Sequence, residues 1–260
     1  MFSEMSLENK TILITGGSNG IGYEFCKIIL EKHQSTKLIV IDLQQPKFDC
    51  IYYKCDLSSK EETKSVFTSI HNNEKLPDVF IFNAGVQYSK LLEDYTEEEY
   101  ERVIDVNFKN LYYSIRPFLK DLKSRNSGHL IYTCSVCSFI AAPGSIPYSA
   151  SKAGAFMFAN GLRTELDEFN IKVSTLTPGH VNGTSLFKEY KNDYQFLMPS
   201  LTPEYVGNGI YKIVQNNYSQ QWMKPLYTLI GPLTLLLPPS LLLYLQRLTG
   251  ADVAIIRKNK

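Results

Sequence analysis

The chain has 260 residues, 44% of them apolar, and 27 basic against 26 acidic side chains leave a net charge of +1. That length and composition suffice to bury one large α/β core, and a single domain is the expectation. The balanced charge gives no extended field for a polyanion, which speaks against nucleic acid and favours a small or neutral ligand.

Apolar, β-branched runs occur at 11–15 (TILIT), 37–43, 50–57, 78–85, 128–135 and 171–179, with polar, helix-periodic stretches between them. Near-continuous apolar strands alternating with helices predict an α/β fold: a single doubly wound parallel sheet, flanked by helices, with an apolar C-terminal extension. Residues 1–220 are expected to form the dinucleotide-binding catalytic domain and 221–260 the extension.

Directly after the first strand, TGGSNGIG spans Thr15 to Gly22 and leads into a helix. Gly16, Gly20 and Gly22 let the turn tighten, let backbone N–H groups reach a pyrophosphate, and let the helix pack close to the sheet. Ser18, Asn19 and Ile21 complete the loop. A plain structural turn is the alternative until a second feature joins it. That feature is Asp42, which ends the second strand twenty residues after Gly22, where a carboxylate hydrogen-bonds the adenosine ribose hydroxyls and repels a 2′-phosphate. No Arg or Lys stands at 19 or 43, so NAD is expected over NADP. After the third strand, Asp56 suits the adenine amino group or a helix cap, with Leu57 beside it. Asn83, Ala84 and Gly85 close the fourth strand, where small residues let backbone approach a nucleotide; a simple turn fits as well.

From Thr96 a long helix is expected, opened by an N-cap Thr and three acidic residues. Asn107 lies on it among core residues, and its amide requires a buried partner. Five cysteines, an odd number without a framework, and the absence of a signal-like start place the chain in a reducing, intracellular compartment. Cys134 and Cys137 form a CxxC with no second pair, and the four histidines lack ligand spacing, so no metal is expected.

YSASKAG at 148–154 places Tyr148 and Lys152 on one helical face. Lowering a phenol from about 10 to about 7 takes roughly 4 kcal/mol. An ammonium at roughly 4 Å supplies about that in an effective dielectric near 20, and only about 1 kcal/mol in bulk water, so the pair needs a cleft. There Tyr148 is a general base for alcohol oxidation. Ser135 ends the preceding strand and can hydrogen-bond the reacting oxygen. Taken singly, Ser135 is a turn residue and Tyr148 and Lys152 an exposed helix pair.

In motif order and spacing from Thr11 to about Asn216, the chain resembles the short-chain dehydrogenase/reductase family: TGGSNGIG as the cofactor loop, NAG after the fourth strand, Asn107, Ser135, and YSASK as the signature. The resemblance implies that Tyr148 exchanges the proton with the substrate and Ser135 orients it. Lys152 then lowers the tyrosine pKa and holds the nicotinamide ribose, and Asn107 supports a water relay to Lys152. TPGHV at 177–181 resembles the Pro-Gly segment beside the nicotinamide, which assigns Pro178 and Gly179 to the cofactor. Thr184, or the backbone of Val181, is then the carboxamide contact. A homodimer on the long helix and the signature helix is also implied.

From Pro225 to Gln246 no residue is charged, but Gly231, Pro232, Pro238 and Pro239 interrupt the stretch, so an interfacial or re-entrant segment is expected over a span. A helix covering the substrate cleft or a subunit interface is the alternative. RTEL at 163–166, LTPEYVGNGI at 201–210 and LLPPSLLLYLQRLTGAD at 236–252 resemble the retinol and hydroxysteroid dehydrogenase branch, which works at endoplasmic reticulum or lipid-droplet membranes. MFSEMSLENK departs from that branch's apolar N-terminal anchor. A lipophilic alcohol or ketone is the expected substrate, with peripheral membrane contact through 225–246. An NADPH-dependent ketone reductase and a non-catalytic NAD-binding scaffold are the alternatives.

Overall fold

A computed structural model describes residues 6–141, 144–183, 200–216, 220–222, 233, 234 and 236–249. Seven parallel strands form one sheet in the order β3-β2-β1-β4-β5-β6-β7: β1 Thr11–Thr15, β2 Lys37–Asp42, β3 Ile51–Lys54, β4 Val79–Phe82, β5 Gly128–Thr133, β6 Ile171–Thr177 and β7 Gln220–Trp222. The helices are α1 Gly20–Lys32, α2 Lys60–Asn73, α3 Glu97–Ile104, α4 Asn110–Ile115, α5 Leu119–Arg125, α6 Ile146–Glu165, α7 Pro203–Asn216 and α8 Pro239–Thr249.

The strand period of two divides the core into two layers. Ile12, Ile14, Leu38, Val40, Val79 and Ile81 pack with α1 and α7 through Phe25, Ile29, Val206 and Ile210. Leu13, Ile39, Ile41, Phe80, Phe82 and Tyr132 point the other way and meet Phe67, Phe118, Leu122 and Ala155. Both sheet faces are thereby covered, as the unbroken apolar strands require. The order reverses at β1, which pairs with β2 on one side and β4 on the other, and such a reversal opens a crevice at the strands' carboxyl ends.

Two features differ from the sequence expectation. β7 is a three-residue strand of polar and aromatic side chains, too short to carry a period, and it takes the sheet across the boundary expected at residue 220. The helix from Thr96 is not continuous. Thr96 and Glu99 form a capping box at its start, but Asp105–Lys109 is a π turn and Arg116–Phe118, with Pro117, a 3-10 turn. The π turn places Asn107 inside the molecule, and such insertions accompany functional sites. Among the described residues no helix is long and apolar enough to cross a membrane, and the sequence expected no span.

Candidate active site

The crevice begins at the glycine loop. Gly16 adopts φ +69°, and a Cβ on it would stand 2.9 Å from the Ala84 Cα. A Cβ on Gly22 would stand 2.0 Å from the Gly16 carbonyl oxygen, so α1 approaches the loop at a distance only glycine permits. Asn19 caps α1 in extended conformation without a side-chain cap bond, and the first turn holds no acidic residue. The leading N–H groups of α1 are therefore available to an anion at its positive end.

Asp42 stands across from the loop. Its carboxylate accepts from the backbone N–H of Ser18 at 3.0 Å and of Gln44 at 3.2 Å. Ser18 Oγ donates to the Gln44 carbonyl at 2.5 Å, and Asn19 Nδ2 donates to the Gln44 side chain at 3.1 Å. These bonds join the loop to the end of β2 and fix the carboxylate on the cleft wall, which Gly16, Asn19, Gly20, Ile21, Asp42 and Leu57 line.

Asp56 also lines this cleft, and its carboxylate already has partners. Oδ1 accepts from the Ser58 N–H at 2.9 Å and hydroxyl at 2.7 Å, and Oδ2 accepts from Arg102 Nη1 at 3.2 Å. Burial raises its pKa, but the Ser58 bonds and the Arg102 charge outweigh that, so the net shift is downward. Asp56 thus serves the local turn and the cleft together, where the sequence left the two open.

Thr15 Oγ1 accepts from the N–H groups of Asn83 at 3.1 Å and Ala84 at 3.2 Å, tying β4 to β1 at the crevice. Asn83 Nδ2 donates to the Gly16 carbonyl at 3.0 Å, while its Oδ1 is buried with no hydrogen-bond partner among the described residues. A buried acceptor without a partner is costly and fits a ligand donor. Gly85 joins the two halves of the site: a Cβ there would stand 3.3 Å from Asn107 Oδ1 and 3.4 Å from Lys152 Nζ. The glycine-lined cleft thus ends against the cluster predicted to be catalytic.

In that cluster Asn107, Ser135, Tyr148 and Lys152 are 2%, 6%, 6% and 4% exposed. Asn107 Oδ1 accepts from the Val86 N–H at 2.8 Å, and Nδ2 donates to the Val86 carbonyl at 2.9 Å and to Ser151 Oγ at 3.0 Å. Every polar group of the amide is therefore used to hold the strand-four loop against α6. Ser135 follows β5, and its Oγ accepts from the Cys137 N–H at 3.1 Å. Lys152 Nζ donates to the Thr133 carbonyl at 2.9 Å and lies 5.8 Å from the centroid of the Tyr148 ring.

The electrostatics differ from the sequence argument. Burial pushes the Tyr148 phenol well up, the Cys137 and Cys134 thiols add to the shift, and a hydrogen bond with the Ser135 hydroxyl opposes it. Burial also holds Lys152 below its ordinary value. The expected lowering of the phenol by the ammonium assumed roughly 4 Å between opposite charges. Here the ammonium bonds Thr133 first, and desolvation of both groups wins. In the protein alone the Tyr148 phenol is thus held above its ordinary value.

Gly179 and Val181 are buried; the Pro178 carbonyl accepts from Val136 N–H at 3.0 Å, and Val181 bridges to Leu201. Thr184 lies outside the described residues. All five thiols are free. Sequence reasoning passed over Ser151 and Arg102. Each finds its partner 44 to 46 residues away, which no local spacing reveals.

Residues 10–195 match the model of the short chain dehydrogenase family. An uncharacterized oxidoreductase of Saccharomyces cerevisiae is 30% identical over 239 residues, 86% of this chain and 77% of the relative. Human short-chain dehydrogenase/reductase 3 is 28% identical over 225 residues, 81% and 74% of the respective chains. Among solved structures, 4-hydroxyisoleucine dehydrogenase complexed with NADH superposes with a TM-score of 0.74 at 23% identity, covering 83% of this chain and 97% of that one. Levodione reductase superposes with a TM-score of 0.72 at 17% identity, over 88% and 99%.

Proposed function

The chain belongs to the short chain dehydrogenase family, and from that premise we propose that it transfers a hydride between NAD(H) and a lipophilic alcohol or ketone, with Tyr148 as the acid/base. The observation that carries this reading is the junction at Gly85, where the cleft meets Asn107 and Lys152, the latter 5.8 Å from the ring centroid of the buried Tyr148. Glycine approach at 16 and 22, the free start of α1 and the orphaned Asn83 oxygen fit a dinucleotide.

The bound nicotinamide ring accepts or supplies the hydride. This chain's residues handle the proton. In reduction the Tyr148 phenol would give its proton to the substrate oxygen as the carbonyl carbon takes the hydride; in oxidation the phenolate, its own proton first passed to solvent, would accept the substrate O–H proton as the C–H bond yields its hydride. Ser135 would orient the substrate oxygen, and Lys152, bonded to the Thr133 carbonyl, stands 5.8 Å from the centroid of the Tyr148 ring. The upward shift of the Tyr148 phenol suits a second reading within the same chemistry, reduction of a ketone, because a phenol donates and a phenolate does not.

Cofactor choice tests the cleft. Asp42 is held by two backbone N–H groups on the wall, and the one cation among the described lining residues, Arg102, is paired with Asp56. Steady-state kinetics should show NAD(H) used at least about tenfold better than NADP(H), with Asp42→Ala narrowing the ratio severalfold. Equal use of both cofactors by the wild type would defeat the assignment of Asp42.

The substrate class rests on the C-terminal segment. Thr234 Oγ1 lies 3.5 Å from the carbonyl of Phe139, four residues beyond Ser135, so this segment borders the substrate side of the cluster. Beside it Leu236 is 78% exposed, Tyr244 58% and Leu233 51%, and Leu241 and Leu243 are also exposed. Residues 225–232 and 235 lie outside the described residues. A surface this apolar, in a charge-free stretch, suits peripheral contact with a lipid surface from which a lipophilic substrate enters. In flotation with phosphatidylcholine vesicles, the wild type should rise with the lipid and Leu236→Glu/Tyr244→Glu should stay behind. Equal behaviour of the two proteins would remove the membrane from the account.

A further inference from the structure

Arg102 lines the cleft from α3 and is used by neither the hydride step nor the ribose contact. Its Nη1 donates to Asp56 Oδ2 at 3.2 Å and to Ser58 Oγ at 3.1 Å, while Ser58 donates in turn to Asp56 Oδ1 through both N–H and hydroxyl. The three side chains form a closed ring of hydrogen bonds. Both carboxylate oxygens are gripped, one from the turn that begins α2 and one from α3. Arg102 and Asp56 are 33% and 30% exposed, and an ion pair this wet adds little to stability. Stability alone does not explain a guanidinium spent on one wall of a nucleotide cleft.

Position supplies the reason. Cys55, Asp56 and Leu57 form the wall beside the ends of β2 and β3, next to Ile41 and Leu43. The ribose-directed carboxylate, Asp42, pairs in register with Lys54, two residues before Asp56. A base attached to that ribose extends toward Asp56. An ionised carboxylate retains acceptor lone pairs after taking one bond on each oxygen, and these can receive an exocyclic amino group. Without Arg102 the carboxylate would keep Ser58 on one oxygen and lose its fixed orientation on the other.

We propose that Arg102 is a positioning residue for base recognition: by clamping Asp56 it makes the cleft select a 6-amino purine, adenine, over a 6-oxo purine. This rests on the dinucleotide reading above. A carbonyl oxygen in place of the amino group would face the clamped carboxylate acceptor to acceptor, so the site rejects it.

Fluorescence titration of the full-length protein with NADH and with reduced nicotinamide hypoxanthine dinucleotide, which differ at the 6-substituent and in the proton that N1 then carries, tests it. The wild type should bind NADH about tenfold more tightly or better, the discrimination expected of one well-placed hydrogen bond against an unpaired buried acceptor. Arg102→Ala should bring the two dissociation constants to within a factor of about two to three, and Arg102→Lys, which restores a donor without the fork, should recover part of the difference. A ratio unchanged in Arg102→Ala, or a wild type indifferent to the base, overturns the proposal while leaving NADH binding intact. A fall in affinity for both ligands at constant ratio reduces Arg102 to a structural residue and overturns it too. A wild type that binds neither ligand refutes the dinucleotide reading itself.

Discussion

Tyr148→Phe should lower turnover by about a hundredfold to ten-thousandfold, the range that a general acid/base contributes, while the NADH dissociation constant changes by no more than about threefold. The ring is retained and its packing at the head of α6 is unchanged; only the hydroxyl that exchanges a proton is lost. Single-turnover kinetics with saturating cofactor separate this from a binding defect. A Tyr148→Phe protein with full turnover would move the proton-transfer role to another group.

Gly22→Ala is expected to be nearly as damaging, by a different route. Its methyl would stand 2.0 Å from the Gly16 carbonyl oxygen and 2.9 Å from Asn83 Nδ2, and backbone does not yield cheaply. Overpacking of this kind costs about 1 to 3 kcal/mol. Because the atoms displaced are the cofactor loop and the Asn83 bond to it, NADH affinity should fall about tenfold or more alongside a lower melting temperature. Gly161→Ala, in the same protein, is the control: a Cβ there meets nothing within 4 Å inside α6. That substitution should raise stability by up to about 1 kcal/mol and leave NADH affinity alone. If Gly22→Ala bound NADH normally, the close approach of α1 to the loop would have no bearing on the cofactor.

Much of this fold is legible in the residues because strands buried on both faces must be apolar throughout, and TILIT, VFIF and the core of KLIVID announce themselves. The observed strands end earlier than the apolar runs, since their last residues turn out of the sheet to form the crevice. Asp56 and Ser135 lie past strand ends for that reason. The three-residue β7 has no such pattern and exists through pairing with β6.

The candidate site is legible to a different depth. Local signals place the loop, Asp42, Ser135 and the Tyr148–Lys152 face. They do not show that Asn107 sits in a π turn, that its amide bonds Val86 and Ser151, or that Arg102 reaches Asp56, because these are contacts between distant segments. The phenol shows the limit most clearly. Spacing along a helix gives an i, i+4 pair, but whether the ammonium or desolvation governs the pKa depends on Thr133, a backbone carbonyl on another element.

The central claim is hydride transfer, and isotope transfer tests it most directly. The wild type is incubated with a lipophilic ketone, such as a sterol or long-chain ketone, and NADH deuterated at the transferable position of the nicotinamide ring. Mass spectrometry of the product should find one deuterium on the new carbinol carbon, absent when Tyr148→Phe replaces the wild type. Tight NADH binding with no labelled alcohol from any ketone offered would contradict the account and leave a nucleotide-binding protein that does not turn over.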